Sequence, residues 1–99
     1  MAWKITLPRL VGTREAADRL AQPDTASPSD GTVWLLGRKL STSTISFTDE
    51  LVLKLQEFGA TEIVTVAAPR QFQVQLQEVA ERRGGVRVRP ASAEELALV

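Results

Sequence analysis

Between Ser41 and Thr48, six of eight residues carry a hydroxyl (Ser41, Thr42, Ser43, Thr44, Ser46 and Thr48), and Asp49 and Glu50 follow directly. Hydroxyls gathered at a helix start can receive an anion, accept a phosphoryl group, or cap the helix and do nothing more. To act as nucleophiles they would need a base. The chain has no histidine, cysteine or tyrosine, which removes the commonest general base, the thiolate, the phenolic acid and the usual transition-metal ligands. Lys39 lies near Ser41, but nothing in the spacing marks a Ser-Lys dyad. Asp49 and Glu50 are sequence neighbours, so on a helix they point about 100° apart and cannot converge on one bond. The reading is therefore a non-enzyme with no catalytic residue, no cofactor and no metal site.

Three uses of the cluster remain. Ser46 can act as an N-cap, accepting from the amide of Thr48 or Asp49 while Asp49 bonds back, together worth about 1–2 kcal/mol. An alternative start at Thr48 would let Phe47 staple onto Val52. A phosphoryl group at Ser43, Thr44 or Ser46 would place about two negative charges beside the positive helix end, where Asp49 and Glu50 would oppose it. The third use is an interaction surface that is never modified.

The elements that position these residues follow from periodicity. Trp3 to Leu7 alternates apolar and polar residues and reads as a half-buried edge strand ended by Pro8. Thr13 caps a short helix over Arg14 to Gln22, with Ala17, Leu20 and Ala21 as its stripe, helped by Ala16, and Pro23 as its stop. Residues 22–31, with two prolines among Ser, Thr and Asp, read as a flexible loop inserted within one domain spanning 1–99. Thr32 to Leu36 reads as a central strand covered on both faces. A helix from near Ser46 to Phe58 turns Phe47, Leu51, Val52, Leu55 and Phe58 to the core, and Gly59 stops it.

Thr61 to Ala68 reads as a second buried strand, and Pro69 as a first helical position. Phe72, Leu76, Val79 and Ala80 form a third stripe that ends at Gly84-Gly85. Val86 and Val88 alternate with Arg87 and Arg89 in a last strand, and Ser92 with Glu95 forms a capping-box pattern for a terminal helix. The order is β-α-β-α-β-α-β-α, an α/β class with a four-stranded, mostly parallel sheet and helices packed on it.

Twelve basic and twelve acidic residues balance, so no net field steers the chain to nucleic acid or membrane. The one basic excess, Arg82, Arg83, Arg87 and Arg89, has no interleaved aromatics for base stacking. Arg82 and Arg83 suit a helix C-terminus instead. There is no GxGxxG or P-loop pattern, no apolar run long enough to span a membrane, and too short an apolar core in MAWKITLPRL for a signal peptide. A cytoplasmic location is the default.

An apolar strand, a short turn, then Ser46-Phe47-Thr48-Asp49-Glu50-Leu51 opening a helix resembles the STAS-like families, small α/β domains related to anti-sigma factor antagonists. Ser46, Phe47, Asp49, Glu50 and Leu51 match the pattern of their uncharacterised bacterial branch, and the resemblance runs from about Thr32 to Gly84. In the better-studied branch an Asp-Ser-Ser-Gly-like signature opens the helix and its serine is phosphorylated by a partner kinase. Here no glycine follows Ser46 and no aspartate precedes it.

The resemblance implies a regulatory, partner-switching module that docks a protein partner, such as a histidine-kinase-like ATPase. The docking site would be the 37–46 loop and the N-terminus of the helix 46–58, with Ser46, Phe47, Thr48, Asp49 and Glu50 as contacts. The competing reading is a domain that binds a small anion or nucleotide at the hydroxyl-rich helix N-terminus. A homodimer paired through the edge strand Trp3 to Leu7 is the remaining option.

Overall fold

The computed structural model describes residues 3–20 and 31–98. The chain runs β1 (Trp3–Thr6), β2 (Leu10–Val11), α1 (Arg14–Leu20), β3 (Thr32–Leu36), β4 (Thr42–Ser43), α2 (Ile45–Glu57), β5 (Glu62–Val66), α3 (Arg70–Arg83), β6 (Arg87–Pro90) and α4 (Ala93–Leu98). Apart from Gly31, the loop read at 22–31 lies outside the described residues, as does the expected end of α1 at Gln22. Among the described residues no helix is long and apolar enough to cross a membrane.

β1, β3, β5 and β6 form a sheet in that order, and every pairing in it is parallel. Neighbours in the sheet are thus neighbours along the chain, joined in turn by α1, α2 and α3. Successive right-handed crossovers that step one way across a sheet leave all their helices on one face. The core agrees: Ile5, Val33, Leu35 and Ile63 point to the same side as Ala17 of α1, Phe47, Leu51, Val52 and Leu55 of α2, and Phe72, Leu76, Val79 and Ala80 of α3. All four residues of the α3 stripe are buried as their spacing predicts.

The opposite face differs from expectation. β3 was to be covered on both sides, yet its burial alternates, with Val33 and Leu35 sealed and Thr32, Trp34 and Leu36 half-buried. The physical reason is the sequential strand order, which supplies no crossover helix to the second face. Trp34 consequently sits outside the helix-covered core. Val64 and Val66 are buried on this second face, beside Trp34 and Leu36 in the register.

α4 is tied to the second face. Arg89, next to Val64 in the ladder, donates to both oxygens of Glu95 at 2.6 and 2.8 Å and reaches Glu62 at 3.4 Å. The capping box reads out in full, with the Glu95 amide donating to Ser92 Oγ at 3.2 Å and the Ser92 amide to Glu95 Oε1 at 2.8 Å. Pro69 is corrected by one position: its ψ of 149° is extended, which makes it the N-cap and Arg70 the first helical residue. Its fixed φ suits either place, and the turn out of β5 decides.

The two edges of the sheet are unequal. On β6, Gln77 Nε2 donates to the Val88 carbonyl at 2.8 Å, and Pro90 has no amide proton to offer, so this edge is blunted against another strand. β1 is the other edge, as its alternation predicts, and carries no such device among the described residues.

Candidate functional site

The hydroxyl-rich run is built into the carboxyl end of the sheet. After β3 the chain turns at Gly37–Leu40 and is clamped to the segment behind β1, where the amides of Ser41 and Thr42 donate to the Arg9 carbonyl at 2.8 and 3.3 Å. Thr42 and Ser43 then pair in parallel with Leu10 and Val11, two short strands that alternation could not reveal in so few residues.

Thr44, not Ser46, is the N-cap of α2, and the helix starts at Ile45. Thr44 Oγ1 accepts from the Phe47 amide at 3.2 Å and donates to the Gly12 carbonyl at 3.2 Å. Sequence spacing allows either Ser46 or Thr44 as cap, and the added bond to the Gly12 carbonyl, more than thirty residues away, favours Thr44. A cap of this kind stabilises by about 1 kcal/mol. Ser46 is left exposed in the first turn.

Ser43 and Thr48 belong to a polar cluster centred on the half-buried Gln75. The side-chain carbonyl of Gln75, on α3, accepts from Ser43 Oγ at 2.8 Å and from Thr48 Oγ1 at 3.0 Å, and its amide donates to the Ser43 carbonyl at 3.3 Å. Thr48 shares its one proton with the Thr44 carbonyl at 3.1 Å. Thr48 is fully buried and Ser43 only 6 % exposed. Of the three hydroxyls considered for phosphorylation, Ser43 is therefore out of reach of a kinase as folded, while Thr44 and Ser46 lie at the surface. Gln75 carried no signal, because a glutamine beside an apolar stripe is ordinary.

Asp49 and Glu50 face neighbouring helices. Arg14 of α1 reaches Glu50 at 3.1 Å and Asp49 at 3.5 Å, and Arg83 of α3 reaches Asp49 at 3.0 Å. Partial burial raises the Asp49 carboxyl, but its bonds to Arg83 and Arg14 outweigh this and leave it below the usual carboxylate range. Pairs as exposed as these contribute little singly, yet the cluster joins all three crossover helices. Phe47 is fully buried in the core. Of the five residues read as partner contacts, Phe47 and Thr48 are thus inside, Asp49 and Glu50 are half-exposed in ion pairs, and Ser46 alone is freely presented.

What the site does present was not read from the sequence. Leu10 is 69 % exposed and Ile45 40 % exposed. The β2–β4 register sets Leu10 beside Thr42, three residues before Ile45, and Ser41, Thr42, Thr44 and Ser46 are all exposed around them. Two large apolar side chains are thus left in water on a segment rich in exposed hydroxyls, with no base among them. Among the described residues no group of His, Cys, Asp or Glu could hold a metal ion. No family model matches the chain, and no curated protein and no solved structure matches it either.

Proposed function

We propose that the chain is a non-enzymatic, STAS-like regulatory module of the kind related to anti-sigma factor antagonists, which docks a protein partner through the 37–46 loop and the first turn of α2. One observation carries the reading: Leu10 and Ile45 are exposed on a frame locked from behind by the Gln75 cluster and the Thr44 cap. A pre-ordered apolar pair loses little conformational entropy on binding, and its hydroxyl rim can satisfy polar groups of the partner. The contact set is accordingly Leu10, Ser41, Thr42, Thr44, Ile45 and Ser46, with Asp49 and Glu50 at its border. The partner class is a histidine-kinase-like ATPase, and Thr44 and Ser46 are the hydroxyls it could reach.

The test is titration of such an ATPase against the intact protein and against the variant Leu10→Glu/Ile45→Glu, whose two sites are exposed and leave the core unchanged. Saturable binding that weakens at least about tenfold in the variant, a loss of about 1.4 kcal/mol, is the expected result. Equal binding by the two proteins would remove the surface from consideration. If the ATPase phosphorylates the chain, the phosphate is expected on Ser46 or Thr44 and not on Ser43.

A further inference from the structure

The register of the sheet places Thr6, Leu36 and Val66 side by side, the last residues of β1, β3 and β5, on the face that carries no crossover helix. With Arg38 and Lys39 from the following turn they line a cavity of about 260 Å³. Its floor is apolar, and among the described residues its one neutral polar side chain is the Thr6 hydroxyl and no carboxylate borders it. The cavity lies at the carboxyl ends of β1, β3 and β5, where the connecting segments leave the sheet.

Charge points to the sign of the ligand. The chain is neutral overall, yet the segments that follow β1, β3 and β5 before the next helix or strand carry Arg9, Arg38 and Lys39 and no acid. Arg70 opens α3 at the same end. None of these four cations has an ion-pair partner among the described residues, whereas Arg14, Arg83, Arg87 and Arg89 all do.

The backbone beneath the cavity is also constrained. Ala67, directly after Val66, has φ of 55°, a left-handed conformation that side chains rarely adopt. A Cβ on Gly37 would lie 2.9 Å from both Cα and Cβ of Ala68, so the turns behind β3 and β5 pack too closely for any other residue there. Such outliers persist where the surrounding structure holds them, and they gather at ligand sites.

We infer that this cavity binds a small organic anion, with its carboxylate held between Arg38 and Lys39 and its apolar body lying on Leu36 and Val66. The volume is just below the roughly 300 Å³ at which drug-sized sites begin, which limits the ligand to the size of benzoate or a short fatty carboxylate. Charge-assisted bonds from the two cations and the Thr6 hydroxyl would fix the head, and burial of the body would supply the remaining affinity. The site lies on the face without crossover helices and shares Arg38 and Lys39 with the 37–46 loop of the proposed docking surface, but it uses neither Leu10 nor Ile45, so different substitutions test the two.

The test is an NMR titration of the full chain with benzoate, hexanoate, neutral benzamide and inorganic phosphate. Saturable shifts at Thr6, Leu36 and Val66 are expected with the two carboxylates and not with benzamide or phosphate. Arg38→Gln/Lys39→Gln should weaken benzoate binding by about tenfold or more, and Leu10→Glu/Ile45→Glu should leave it unchanged. Unsaturated or absent shifts at millimolar benzoate would overturn the inference. Equal response to phosphate, or to benzoate in the double-glutamine variant, would also overturn it by showing only diffuse attraction to positive charge.

Discussion

The two faces of the sheet are made from the same four strands and are held together differently. Under the helices, apolar residues of α1, α2 and α3 interlock with Ile5, Val33, Leu35 and Ile63, and the polar groups admitted there are mostly paired with one another through Gln75. On the opposite face Trp34 and Leu36 remain half-exposed, Val64 and Val66 are buried, and the contact of Arg89 with Glu62 and Glu95 ties α4 to the sheet with charge. One face holds the fold mainly through apolar burial, with the ion pairs of Asp49 and Glu50 linking its helices at the rim. The other rests partly on ion pairs and retains accessible apolar surface.

The sharpest way to break that contrast is to remove one large aromatic from each side. Phe47→Ala deletes a fully buried ring at the centre of the helix layer and is expected to cost about 3–5 kcal/mol. Trp34→Ala removes a larger side chain that is only half-buried, and is expected to cost about 1–2 kcal/mol, because less of its area leaves water on folding. Urea unfolding of the two variants measures both. An equal loss would mean that the second face is as much a part of the core as the first.

The next test concerns polarity inside the helix layer. Gln75→Leu keeps the volume but leaves the hydroxyls of Ser43 and Thr48 without their acceptor, although Thr48 retains the Thr44 carbonyl. Stability should fall by about 1–3 kcal/mol. Adding Ser43→Ala and Thr48→Val should recover part of it, because the unsatisfied groups are then gone. A variant as stable as the parent would show the cluster to be hydrated already, and with it the claim of a rigid frame behind Leu10 and Ile45 would fall.

Which features could be read from the sequence follows from the range of the interactions that set them. Both bonds of the Ser92–Glu95 capping box and the whole α3 stripe were legible, because they depend on spacings of three and four residues. The choice of Thr44 over Ser46 as cap was not, since the Gly12 carbonyl that decides it is distant in sequence. The same holds for the candidate site. Ser46 and the half-exposed Asp49 were placed near the surface by local pattern, but the burial of Thr48 depends on Gln75, and the ion pairs of Asp49 depend on Arg14 and Arg83. Trp34 and Leu36 looked central because their run is apolar throughout, and only the strand order, a property of the whole chain, exposes one of their faces.

The smallest expected effect isolates the charged side of the comparison. The Arg89 guanidinium, with the Ser92 amide, holds the Glu95 carboxyl at about 2 against an ordinary 4.5. A depressed carboxyl stabilises the folded form fully above its unfolded value and loses that contribution as pH falls through its folded value. The attachment of α4 should therefore weaken between pH 4.5 and about 2, while on the helix-covered side the Asp49 ion pairs respond in the same direction and the apolar contacts do not titrate. NMR of the Glu95 carboxyl should show a midpoint near 2 that moves toward 4.5 in Arg89→Gln, with amide exchange in α4 rising at a higher pH in the variant. A midpoint near 4.5 in the parent protein would mean that the Arg89 bridge does not form in solution. The second face would then be held by Val64, Val66 and their apolar neighbours alone, and the chemical difference between the two faces would reduce to one of coverage.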